Sequence, residues 1–65
     1  MTISELISRL TDIQSNYGDI EVVYDDEEHD IQRIRGTEVS FQYVHDRPTN
    51  WTEYKQVVVL TEWEN

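Results

Sequence analysis

The sequence predicts an α+β fold, one N-terminal helix packed on a three-stranded antiparallel sheet in the order α-β-β-β, as a single domain over residues 1–65. Three observations predict it. The first is an apolar stripe of helical period near the N-terminus. The second is a pair of segments that alternate apolar and polar residues. The third is one unbroken apolar run near the C-terminus, Gln56-Val57-Val58-Val59-Leu60-Thr61. A run that short between polar flanks reads as a buried strand, the element around which the rest packs.

Thr2-Ile3-Ser4-Glu5 has the form of a capping box, so a helix starts here. Ile3, Leu6, Ile7, Leu10 and Ile13 then fall on one face at helical spacing, with Ser4, Glu5, Ser8, Arg9 and Asp12 left for solvent. Asn16 and Gly18 tolerate positive φ, which predicts an end near Ser15 or Asn16. From Asp19 to Asp25, Ile20, Val22 and Tyr24 alternate with Asp19, Glu21, Val23 and Asp25, the period of a half-buried first strand. The polar stretch Asp25-Asp26-Glu27-Glu28-His29-Asp30 then reads as the connection of a hairpin. The second strand is expected from about Ile31 to Val44, kinked at Gly36. His45 to Tyr54, with Pro48, Thr49 and Asn50, reads as a loop, and the third strand as Lys55 to about Trp63.

Fourteen acids against five bases give a formal charge of −9. Such a chain is repelled by DNA, RNA and anionic membrane, so a basic protein is the expected partner. With no cysteine there is no disulfide framework, and two histidines without a thiol do not suggest structural zinc. No stretch approaches the roughly 20 apolar residues of a membrane span. The start, Met1-Thr2-Ile3-Ser4-Glu5, lacks the basic and apolar parts of a signal peptide, so the expected location is the cytoplasm.

A single helix covers one face of a three-stranded sheet. The other face is expected to carry Val23, Val44 and either Val57 with Val59 or Val58 with Leu60, with Trp51 and Trp63 close by. That apolar surface predicts a homodimer or an obligate partner, with Val23, Val58 and Leu60 taken as dimer contacts. The acids Asp19, Glu21, Asp25, Asp26, Glu27, Glu28 and Asp30 form the expected partner-binding surface, with Trp51 and Trp63 as aromatic anchors. Alternate acids on a strand lie about 7 Å apart, close to the separation of neighbouring phosphates, so the surface has the spacing of a DNA mimic. A plain solvated hairpin tip has the same composition.

Asp25, Asp26, Glu28, His29 and Asp30 offer oxygen and imidazole ligands, but their order departs from a calcium-binding loop, and neither a metal nor a cofactor is expected. His29 and His45 stand next to acids with no nucleophile at a recognisable motif, which speaks against an enzyme. Arg33 and Arg35 are expected to pair with Glu21 or Asp25 across the hairpin.

The layout of Met1 to Leu10, then Asp19-Ile20-Glu21-Val22-Val23 with its acidic tip, then Val57-Val58-Val59-Leu60, resembles small acidic proteins of bacteriophages and prophages. Where those chains often carry a proline-rich turn after the helix, this one has Gln14-Ser15-Asn16-Tyr17-Gly18. The resemblance implies a protein acting in a bacterial host cell, one that binds and inhibits host machinery such as restriction, CRISPR or transcription proteins. The alternative is a structural homodimer with no inhibitory role.

Overall fold

The computed structural model describes residues 1–24 and 31–64. Helix α1 spans Ile3–Tyr17. The Thr2 hydroxyl accepts from the Glu5 amide (3.3 Å) and donates to the Glu5 carboxylate (3.1 Å), which satisfies an otherwise orphaned helix donor. The helix runs past its expected end because Gly18, not Asn16, stops it. Gly18 has φ 84° and ψ −171°, and its amide donates to the Gln14 carbonyl at 2.9 Å. Only glycine adopts that conformation readily.

Three strands follow: β1 (Val22–Tyr24), β2 (Gly36–Asp46) and β3 (Trp51–Thr61). Their order across the sheet is β1-β3-β2, with β1 parallel and β2 antiparallel to β3. The sheet is therefore mixed, not purely antiparallel, and the expected hairpin between the first two strands does not form. The reason lies in β3. Val57, Val58, Val59 and Leu60 are apolar toward both faces, so this strand gains most from a neighbour on each side, and the alternating strands take the edges. The segment from Tyr24 to Gly36 joins opposite edges of the sheet.

Element bounds change accordingly. β1 is shorter than Asp19 to Asp25. β2 begins at Gly36, so that glycine is a strand start and not a mid-strand kink. The expected ten-residue loop shrinks to Arg47-Pro48-Thr49-Asn50, with Pro48 at the first corner, Asn50 at φ 56° and its amide 3.3 Å from the Arg47 carbonyl. Trp51, Thr52 and Tyr54 are good strand formers and continue the hairpin on the near side of that turn. Of the acids expected to pair with Arg33 and Arg35, Glu21 is held by Lys55 instead, and Asp25 lies outside the described residues.

Val58 and its partners Val22 and Val39 share one face of the sheet. On that side Ile7, Leu10 and Ile13 of α1 meet Ile20, Val22 and Val58 around a small groove of about 260 Å³. Val57 and Val59, with Ser40 and Val23 as partners, point the other way. Val57 and Val58 are the fully buried apolar residues, at 0% and 1% exposure. Leu6, Leu10 and Ile13 are half-buried, while Ile3 and Ile7 stay exposed. Burying one valine stabilises by about 1.5–3 kcal/mol, so a core this small leaves a thin margin. The Met1 amine donates to the Ile34 carbonyl at 2.8 Å and ties the start of the helix to the approach of β2.

Candidate functional site

An open trough of about 1920 Å³ runs along the sheet, lined mostly from the helix-free side. Its apolar lining comes from all three strands: Val22, Val23 and Tyr24 on β1, Tyr43 and Val44 on β2, Val59 and Leu60 on β3. Trp51, 66% exposed, stands at the turn end of the trough. Trp63 stands at the opposite end, placed by Thr61, whose buried hydroxyl donates to the Trp63 carbonyl at 2.7 Å and turns the chain after β3. Both predicted aromatic anchors thus lie on one surface, together with Ile34.

Acids surround this floor: Glu21, Glu38, Asp46, Glu53 and Glu62 all line the trough. Lys55 is held among them, its ammonium 3.0 Å from Glu21 and 2.8 Å from Glu53. Hydrogen bonds to Glu53 and then Glu21 raise the Lys55 pKa above its ordinary 10.5, so it stays charged at any physiological pH. One base against two acids leaves that cluster net negative. Arg47 lines the turn end. The result is an apolar floor with a predominantly acidic wall.

The predicted residues are divided by this geometry. Glu21, Trp51 and Trp63 come together. Asp19 does not join them: it accepts from Gln14 at 3.4 Å and lies beside the helix groove. The remaining expected acids, Asp25, Asp26, Glu27, Glu28 and Asp30, lie outside the described residues, as does His29. The dimer trio is split as well. Val23 and Leu60 line the trough, while Val58 lies in the groove beside the helix. Of the two sets left open by the sequence, Val57 with Val59 is the one turned away from α1.

Glu38, Asp46, Glu53 and Glu62 were not singled out by sequence reasoning. For three of them a signal was present, since Glu38 and Asp46 keep the parity of Val44, and Glu53 that of Val57 and Val59. His45 Nδ1 lies 2.8 Å from the hydroxyl of its cross-strand partner Thr52, an exposed pair near the turn. Among the described residues no group of three or more His, Cys, Asp or Glu is arranged to hold a metal ion, and no helix is long and apolar enough to cross a membrane. No protein-family model matches the chain, and neither the curated proteins nor the solved structures give a match.

Proposed function

We propose that this chain is a non-enzymatic binding protein that docks on a cationic protein surface through its helix-free sheet face and thereby blocks that surface. The observation that carries this reading is the union of an apolar floor, two exposed tryptophans and an acidic wall on one face. The floor supplies area whose removal from water is favourable. The acids steer a positively charged partner and disfavour an anionic one. An open sheet face suits a macromolecular partner, whereas small ligands are held in enclosed pockets.

In its sharpest form the partner is a nucleic-acid-binding protein, with Glu21, Glu38 and Glu53 standing where phosphates otherwise would. The phage-like layout gives that form its setting, inhibition of a host protein in a bacterial cell. The structural homodimer remains the second reading, and the exposed rings of Phe41 and Tyr43 on β2 favour it.

Trp51 and Trp63 are the only tryptophans in the chain, so intrinsic fluorescence reports on the trough directly. Titration with a synthetic peptide bearing arginine and leucine is expected to give a saturable change, and the same peptide with glutamate for arginine none. The affinity should fall as salt rises through the range where the screening length reaches about 8 Å. Equal response to both peptides would remove charge complementarity from the account, and no response to either would remove the docking face. Displacement of duplex DNA from a basic DNA-binding protein tests the mimic form.

A further inference from the structure

The two faces of the β2 and β3 hairpin differ in charge. Positions with the parity of Val44 and Val59 include Glu38, Asp46, Glu53 and Lys55. Positions with the parity of Val39 and Val58, the helix-bearing side, hold no Asp, Glu, Lys or Arg from residue 37 to 45 or from 52 to 60. On that side the groove beside α1 is lined from the sheet by Val22 and Val58. Further along the strands toward the turn, Tyr54 packs on Phe41 and Tyr43, with ring centroids 5.8 and 4.7 Å apart. These rings lie open: Phe41 is 58%, Tyr43 78% and Tyr54 59% exposed. Tyr43 also borders the trough, but its ring belongs to this cluster.

We infer that this uncharged ring cluster is where two copies of the chain meet, hairpin face on hairpin face, about a two-fold axis that crosses the strands near Tyr54. Charge selects the occupant. A chain at −9 meets its own copy at least cost where acids are not brought together, and this side of the hairpin meets that condition while the trough side does not. Area agrees. Aromatic side chains of about 150–250 Å² leave, at these exposures, roughly 400 Å² of ring open per copy, and with His45, Thr52 and Gln56 around them the patch approaches the roughly 600 Å² a side of the smaller specific interfaces. Sheets that pack face to face stand about 10 Å apart, room for one interdigitated layer of rings. An axis across the strands points the two helix-covered bases in opposite directions, so the helices do not collide. Both troughs stay on the outside of the pair, and the dimer presents two docking surfaces that face apart.

The dimer does not rest on the docking proposal, and salt separates the two. Screening relieves the repulsion between copies, so pairing strengthens with added salt while docking of a cationic partner weakens. Light scattering on the intact chain is expected to show the mass rise from one chain toward two with protein concentration, most completely at high salt. Tyr54→Glu sets carboxylates against each other near the axis and, with unchanged circular dichroism, should weaken association at least about tenfold. Tyr54→Lys should weaken it as well, and mixing the two variants should restore the two-chain mass through a pair of opposite charge. Tyr43→Glu, at the most exposed ring, repeats the test should either Tyr54 variant fail to fold. A single-chain mass for the natural sequence at every concentration and salt overturns the inference. So does a dimer that Tyr54→Glu and Tyr43→Glu leave intact, which would lie on another surface. A monomer whose Phe41, Tyr43 and Tyr54 ring signals shift with an uncharged proline-rich peptide also overturns it, and gives the face to that kind of partner.

Discussion

The two ends of β3 belong to one strand yet behave as different materials. From Val57 to Thr61 the strand pairs with β2 throughout and with β1 at Val58 to Leu60, and three of its five residues are fully buried. From Trp51 to Tyr54 it pairs with β2 alone, and all four side chains are exposed. What differs is cover: β1 reaches only the Val58 to Leu60 rows, leaving the turn end as a two-stranded ribbon. Such a ribbon is marginal alone and is held by the base it grows from. One end of the strand holds the fold together and the other displays side chains.

The largest expected effect comes from breaking the base. Val58→Asp buries an unpaired carboxylate, a cost of several kcal/mol that exceeds the roughly 3–5 kcal/mol a core of this size supplies. Circular dichroism should show an unfolded chain. The matching change at the other end, Trp51→Ser, should leave the unfolding free energy within about 0.5 kcal/mol while weakening binding of the arginine-bearing peptide. If Trp51→Ser unfolds the protein, the division of labour along β3 is wrong.

Gly18→Ala sharpens the comparison at the helix end. A Cβ there meets nothing within 4 Å, so any loss of stability is backbone strain and not crowding. With φ 84° and ψ −171° the expected loss is about 1–3 kcal/mol, read from urea denaturation. Thr2→Ala removes the cap at the opposite end of α1 and should cost about 1 kcal/mol; loss on the same scale as Val58→Asp would mean that the helix, not the central strand, organises the base.

The smallest effect concerns Lys55. Its folded-state pKa is raised by Glu53 first and Glu21 second, so its contribution is complete below the ordinary 10.5 and fades as pH climbs through the folded value. Melting temperature should therefore fall slightly more steeply above that pH in the natural protein than in Lys55→Met. The difference is small because these side chains are partly solvated.

Much of this organisation was legible in the residues. The Thr2 cap, the stripe from Ile3 to Ile13 and the run from Val57 to Leu60 each carry a local signal that tertiary contacts did not override. Strand order was not legible, because Asp25 to Asp30 looks the same whether it closes a hairpin or forms part of a longer crossing between edges. The Arg47-Pro48-Thr49-Asn50 turn was hidden by its neighbours: polar His45, Asp46 and Glu53 read as loop, although Trp51, Thr52 and Tyr54 favour strand. That error hid Glu53 and Asp46 from the trough. Parity along β3 was legible, but which parity met the helix depended on α1 docking against Val22 and Val58, a long-range fact.

The most direct test of the docking face is a nuclear magnetic resonance titration of isotopically labelled protein with the arginine- and leucine-bearing peptide. The account predicts that the Trp51 and Trp63 indole signals and the Val23, Val44 and Val59 methyls shift together, while Ile7, Leu10 and Ile13 stay still. Shifts confined to the helix side, or spread evenly over every acidic residue, would contradict it.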